Sequence, residues 1–335
     1  MAEAVVGRPA LGVLIVPSHD TREAVSLAAQ AEATGFAYVW VADERFFRDP
    51  FQLLALIARA TSSAQIGPCV VDPYTRRPIQ MAVAIATLDE ISGGRALLGI
   101  GAGASGFRQL DIRRDPPPAR AVGAAVDWVR RYLAERSHAT EDPGLDFAPP
   151  RERVPIFVAA EGPRMLSLAG AAADGAILQA KVSTQLLAPA KQAVFDAAGG
   201  KQRRRPSIVA RVDVSVATDV GAARAALKPR VARRLIAAAP EFTVFRTAHL
   251  DVPSALADAV VGIGYTNDAH QLAELGRGIP DEWVDHFCIA ASPDNIGERL
   301  DRLAEQGVDQ ILVRPVPAQG ESAGHILDAV AAWSG

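Results

Sequence analysis

Short apolar runs alternate with longer helical patterns along almost all of this 335-residue chain, and that rhythm limits the fold more than any other feature. The runs are LGVLIV (11–16), AYVWVA (37–42), QIGPCVV (65–71), RALLGIG (95–101), VPIFVAA (154–160), DGAILQA (174–180), PSIVARVDVSVAT (206–218) and DQILVRP (309–315). They read as fully apolar strands, and such strands are parallel and buried on both faces. The helical patterns between them have readable ends. Asp20 opens one that stops at Gly35, Pro50 opens the next, and Gly93-Gly94 closes the third. Ser292-Pro293 and Gly307 bracket another. This alternation predicts an α/β fold, either a doubly wound open sheet or a closed (β/α)8 barrel. A count of eight favours the barrel, although DHFCIAAS (285–292) is a ninth candidate. No break in composition marks a linker. The sequence therefore predicts one barrel domain over 1–335, with an Ala-rich helical insertion around 219–285 before the last strand.

The remaining bulk features exclude several classes of function. The net charge is −3 with both signs interspersed, so no nucleic-acid partner is expected. The basic run from Lys201 to Arg205 lies between a helical and a strand pattern and reads as a solvated loop. No stretch has the apolar length of a membrane span, and the N-terminus lacks the pattern of a signal peptide. Cys69 and Cys288 lie far apart without metal spacing, and the six histidines form no metal pattern. The expectation is a cytoplasmic protein with reduced thiols and no metal.

LLGIGAGASGF (97–107) sets Gly101, Gly103 and Gly106 in the spacing G-x-G-x-x-G. In a nicotinamide-binding domain this motif follows the first strand and opens a helix. An acid then closes the second strand about 20 residues later. Here the motif follows the fourth strand and runs into the loop RQLDIRRDPPPAR. Asp127, at the right distance, lies inside a helical pattern. All three conditions fail. Two readings remain: a turn that packing keeps free of Cβ atoms, or a place where backbone approaches a flat or charged ligand. In a barrel the C-terminal ends of the strands form the active-site face.

Other residues fall at such ends. Asp43 and Glu44 end the second strand, where they point toward a barrel's site or else begin a helix on a loop. AAEGPRM (159–165) sets Gly162 at a helix N-terminus, a ready site for phosphate, and Arg164 could add a charge-assisted hydrogen bond. The same residues also read as a plain Gly-Pro helix start. Asp72, Tyr74, Arg76 and Arg77 follow the third strand, and Gln179 and Lys181 end the sixth.

Four segments together carry a resemblance: GPCVVDPYTRRP, IATLDEISGGRALLGIGAGASGF, VPIFVAAEGPRMLSLAGAAADGAIL and SPDNIGERLDRLAEQGVDQILV. They resemble the luciferase-like superfamily, and within it the branch related to methylenetetrahydromethanopterin reductase, whose members use the deazaflavin coenzyme F420. The resemblance runs through most of 11–315 and is most specific over 65–107. It implies a TIM barrel of the luciferase-like monooxygenase type, usually a homodimer, with the cofactor ring at the C-terminal face. It further implies an oxidoreductase that passes hydride from reduced F420 to a polarised double bond of a small organic substrate. An FMN-dependent monooxygenase using oxygen, and a barrel that binds a flavin-type ligand without turnover, are the alternatives.

Carried over from the resemblance, Cys69–Val70 is a non-proline cis peptide in a bulge that backs the ring. Ala102, Gly103 and the turn Ala160, Glu161, Gly162, Pro163 and Arg164 line the cofactor's chain. Family members often have Ala-Asp-His at the end of the second strand, so Asp43 is kept and Glu44 replaces the histidine. Beside the resemblance, the residues themselves suggest Asp43 at the polar edge of the ring, Asp72 and Gln179 as further cofactor contacts, and Glu44 or Tyr74 as the proton source. Two positions depart from the reductase, which has acids where this chain has Leu14 and Ala104.

Overall fold

The computed structural model describes residues 8–18, 20–104, 107, 109–134, 145–199, 204–264 and 266–334. Gly106 of the glycine motif and the first three residues of the basic run lie outside the described residues. The strands are β1 (Ala10–Ile15), β2 (Tyr38–Val41), β3 (Gln65–Pro68), β4 (Leu98–Ile100), β5 (Ile156–Ala159), β6 (Gly175–Gln179), β7 (Ser207–Val216), β8 (Cys288–Ala291) and β9 (Gln310–Pro315). Helices α1 (Thr21–Ala33), α2 (Pro50–Ala60), α3 (Pro78–Ser92), α4 (Pro118–Ala134), α5 (Pro163–Ala172) and α6 (Thr184–Ala198) separate the first seven strands. Next come α7 (Val220–Ala238), α8 (Thr243–Thr247), α9 (Ser254–Val260), α10 (Ala269–Arg277) and α11 (Asp281–Phe287), with α12 (Ile296–Ala304) and α13 (Ala323–Ser334) flanking β9. The strands hydrogen-bond in the order β3-β2-β1-β9-β7-β6-β5-β4, and β8 pairs with β7.

The chain forms two compact units. One comprises Gly12–Ile177 and Lys191–Ile208. Its strands pair in parallel, from Gly12 opposite Tyr38 to Ile15 opposite Val41, and from Tyr38 opposite Gln65 to Val41 opposite Pro68. β4, β5 and β6 continue the pattern, with Leu98 opposite Ile156 and Phe157 opposite Gly175. Val13, Val39, Trp40, Ile66, Leu98 and Val158 are fully buried, as strands covered on both faces require. Polar anchors fix where the strands begin. Burial raises the Glu32 carboxyl, but the N–H groups of Ser62, Ser63 and Ala64 outweigh it and pull the carboxyl down to about 2. That charge ties α1 to the start of β3. Asp89 of α3 accepts from Arg151 and from the Ala96 N–H ahead of β4.

The second unit comprises Met1–Leu11, Leu178–Ala190 and Val209–Gly335. Helices α7 to α11 fill the stretch where the sequence predicts a helical insertion. They gather around Phe245, whose ring lies 5.1 Å from Trp283 and 4.9 Å from Phe287. The ninth candidate run supplies β8, so β8 and α12 stand between these helices and β9. β7 corrects the expectation of fully apolar strands. Arg211, Asp213 and Ser215 alternate with valines along it, and all three are buried. Among the described residues no helix is long and apolar enough to cross a membrane, no cluster of metal ligands is present, and neither cysteine is in a disulfide.

Candidate active site

The C-terminal ends of β2 to β5 carry most of the predicted site residues, and the centre of that arrangement is an irregularity in β3. Ile66 bridges Ala96, and Val71 bridges Ile100. Five steps along one strand face four along the other, so one residue is extra and the strand bulges. The Cys69–Val70 peptide inside the bulge is cis, at the bond where the resemblance places it. The Cys69 N–H bonds to the Val41 carbonyl and the Val71 N–H to the Gly99 carbonyl, so both neighbouring strands hold the bulge.

The glycine motif supports this bulge. A Cβ on Gly101 would stand 2.7 Å from Val70 Cγ2 and 3.2 Å from the Ala159 Cβ. Gly103 has φ +58°, and a Cβ there would meet Arg45, Asp72 and Phe107. The packing reading therefore accounts for both glycines. Ala102, between them, is half-buried.

Asp72 is completely buried, and its own loop uses both carboxylate oxygens. Oδ1 accepts the N–H groups of Tyr74 and Thr75, while Oδ2 accepts the Thr75 hydroxyl at 2.8 Å and the Arg45 guanidinium. Arg45 also donates to the Asp43 carbonyl. Arg76 ties Asp43 to Asp49, at 2.9 and 2.6 Å. The loops after β2 and β3 are thus cross-linked by two arginines. The Phe107 ring lies within 5.2 Å of the Arg45 guanidinium carbon and 5.4 Å of that of Arg114, which donates to the Gly103 carbonyl. No sequence motif singles out Arg45, Phe107 or Arg114 for these contacts. Only the position of Arg45, directly after Asp43-Glu44, could have signalled any of them.

Tyr74 sets its ring edge-on to Phe107 and donates its hydroxyl to the Pro116 carbonyl at 2.7 Å. Burial, aided by Asp115 and opposed by Arg114, pushes that hydroxyl above its usual range. Its proton is engaged. Glu44 differs: it is half-buried, and its buried Oε2 accepts no hydrogen bond among the described residues. A buried carboxylate oxygen without a donor is costly, and such atoms mark places where a ligand completes the bonding.

At the end of β5, Ala160 is buried, and Glu161, Gly162, Pro163 and Arg164 are exposed. Gly162 caps α5 without a side-chain hydrogen bond, and a Cβ there would meet nothing within 4 Å. Pro163 has no N–H, and the Met165 and Leu166 N–H groups bond to the Gly162 carbonyl, so what this turn offers an anion is chiefly the positive end of the helix dipole. Gln179 is exposed at the end of β6. Lys181 and Leu14 are buried, Arg77 is exposed, and Ala104 is half-buried.

Known proteins share this architecture. The 5,10-methylenetetrahydromethanopterin reductase of Archaeoglobus fulgidus is 31% identical over 315 residues, covering 90% of this chain and 92% of the relative. The F420-dependent hydroxymycolic acid dehydrogenase of Mycobacterium tuberculosis is 33% identical over 240 residues, covering 64% of this chain and 66% of that one. The solved structure of the coenzyme F420 dependent tetrahydromethanopterin reductase from Methanopyrus kandleri superposes with a TM-score of 0.83 at 24% identity, covering 97% of this chain and 98% of the other. The fold is the (β/α)8 TIM barrel of luciferase-like type. The model of luciferase-like monooxygenases matches residues 7–310, and the chain belongs to that family.

Proposed function

We propose that this chain is an F420-dependent oxidoreductase that reduces a polarised double bond of a small organic substrate. The observation that carries the reading is the near full-length likeness to F420-dependent reductases, at 31% identity in sequence and a TM-score of 0.83 in structure. The site's own residues fit such a cofactor in two respects. Glu44 Oε2 has no donor among the described residues, and the glycine at the start of α5 leaves room for an anionic group.

When bound, reduced F420 supplies a hydride. The chain's part is to hold, orient and protonate. The bulge at Cys69–Val70, backed by Gly101, would support the ring, while Ala102 and Gly103 would border it. Asp43, fixed by Arg76, would meet the ring's polar edge. The α5 N-terminus, with Ala160 to Arg164, would take the phosphate of the cofactor's chain at the positive end of its dipole, with the Arg164 guanidinium in reach of an anion. Glu44 would give its proton to the substrate atom left negative by hydride addition. Tyr74, committed to Pro116, would position the loop after β3 instead. Asp72 would order that same loop, because both its oxygens are satisfied. Gln179, exposed at the end of β6, would be a further contact.

The same reading includes a homodimer and a cytoplasmic location. α3 buries one face, and its exposed face carries Val83 and Ile91 among Gln80, Thr87 and Glu90, while Leu56 is exposed on the neighbouring α2. Large apolar side chains exposed on neighbouring helices suit a subunit interface. The test of the reading is a titration of the purified protein with F420 and with FMN, followed by anaerobic oxidation of reduced F420 against a panel of carbonyl, imine and enone acceptors. Saturable binding of F420 with no binding of FMN is expected. FMN binding with oxygen consumption would replace this reading with the monooxygenase one. Tight F420 binding without turnover of any acceptor would leave only a binding role.

A further inference from the structure

Three loops meet at the Phe107 ring. The ring is buried after β4, and the Arg45 guanidinium of the loop after β2 lies 5.2 Å from its centre. The Arg114 guanidinium lies 5.4 Å from the same centre, and Tyr74 of the loop after β3 stands edge-on at 5.7 Å. A guanidinium at this range is attracted to the face of an aromatic ring, more strongly where water is excluded. Little water reaches this place: the Arg45 side chain is 8% exposed, and that of Asp72, its ion-pair partner, not at all. The glycine turn closes on the same point. A Cβ on Gly103 would stand 2.5 Å from Arg45 Nη2, 3.0 Å from Asp72 Oδ2 and 3.0 Å from Phe107 Cζ. Arg114 donates to the Gly103 carbonyl. Arg45 carries this anchorage to its sequence neighbour Glu44. Its Nη1 donates to the Asp43 carbonyl at 2.8 Å while its Nη2 holds Asp72. Arg76 holds the Asp43 carboxylate at 2.9 Å, and the Phe47 N–H closes a turn on the Glu44 carbonyl, also at 2.9 Å. The Glu44 main chain is therefore fixed on both sides, whereas its buried Oε2 has no donor among the described residues. The direction of the carboxyl follows from that main chain.

We propose that Phe107 and Arg45 are positioning residues for Glu44. The clasped ring holds Arg45 against Asp72, and Arg45 sets the Glu44 carboxyl in register with the turn at Ala102 and Gly103. A misplacement of about 1 Å at a reacting group costs about a hundredfold in rate, so a proton donor needs such a frame. The inference rests on Glu44 as the proton donor of the proposed reduction, and adds which side chains aim it.

Carboxyl labelling of the intact chain without cofactor tests the placement. The probe is a water-soluble carbodiimide with glycine ethyl ester, and peptide mass spectrometry reads the rate at Glu44. Asp89, fully buried and held by Arg151 and the Ala96 N–H, is the control. Phe107→Leu keeps an apolar side chain and removes the aromatic face. Arg45→Lys keeps the charge opposite Asp72 and removes the flat fork. Each should raise the Glu44 rate about fivefold or more and leave that of Asp89 unchanged, as a local release does. With reduced F420 the same variants should lose about tenfold in kcat while KM and F420 affinity stay within about twofold, a split that lost stability alone does not produce. If Phe107→Leu fails to fold, Arg45→Lys decides. Labelling of Glu44 at the wild-type rate in folded variants would overturn the placement, and so would equal acceleration at Glu44 and Asp89, which marks general loosening. A wild-type kcat in variants whose Glu44 reacts faster would overturn it too, where Glu44→Gln itself is slow. If Glu44→Gln keeps full turnover, the proton role in the proposed function falls instead, and the labelling result stands.

Discussion

At Glu44 an acid and an unmet hydrogen bond coincide, and the residue argument turns on that coincidence. Asp72 and Asp43 are close to it in sequence or in the loops, but both are spent on arginines or backbone N–H groups. Tyr74 has given its hydroxyl to Pro116. Of the acids after β2 and β3, Glu44 is the one that combines a carboxyl with a buried oxygen lacking a donor among the described residues. Glu44→Gln keeps the shape and removes the exchangeable acid, so F420 affinity should stay within about twofold while turnover falls about a hundredfold or more. Stopped-flow oxidation of reduced F420, together with an equilibrium titration, separates the two effects. Unchanged turnover would pass the proton role to another group. The sequence disclosed Glu44 because a strand end is a local signal. It did not disclose Arg45, Phe107 or Arg114, because their roles come from loops that meet only after folding.

Among the elements, α5 offers the sharpest contrast between stability and binding. Its N-cap is a glycine with open space around it, so a side chain fits there without disturbing the fold. Gly162→Asp supplies a better N-cap, worth a few tenths of a kcal/mol over glycine. The same carboxylate stands where an anionic cofactor group would bind, and like charges at that range cost about tenfold in affinity or more. Thermal unfolding should therefore shift slightly upward while F420 binding weakens. Unchanged binding would move the phosphate away from this helix. Elements of this type were the most legible part of the chain, since Pro163 after Gly162, Asp49 before Pro50 and Gly93 after Ser92 each sit at an observed helix end. β7 was legible as a strand but not as a polar one. Its alternating Arg-Val-Asp-Val-Ser resembles a half-exposed edge, and only burial on both faces reveals that the charges are held inside.

At the scale of the whole molecule, the proposed homodimer sets a second copy of the chain against α3. Met81, Ala82, Ile85, Ala86 and Leu88 turn inward, as one face of an ordinary barrel helix does. Val83, Thr87 and Ile91 stand at i, i+4 and i+8 on the other face, where Val83 is 41% and Ile91 39% exposed. Leu56 on the neighbouring α2 is 51% exposed. Large apolar side chains exposed on two neighbouring helices suit an interaction face, and a second copy of the chain meets it without requiring any other partner. Val83→Arg tests the assignment. Its side chain points outward, so the protomer should fold with a stability change within about 0.5 kcal/mol. Across a self-complementary interface the substitution enters twice, and two buried, unpaired guanidiniums facing one apolar patch cost several kcal/mol of association. Sedimentation velocity should then show the wild-type chain as a dimer and the variant as a monomer at the same micromolar concentration. A monomeric wild type would remove the need for a cover on α3, and a variant that stays dimeric would put the interface on another face.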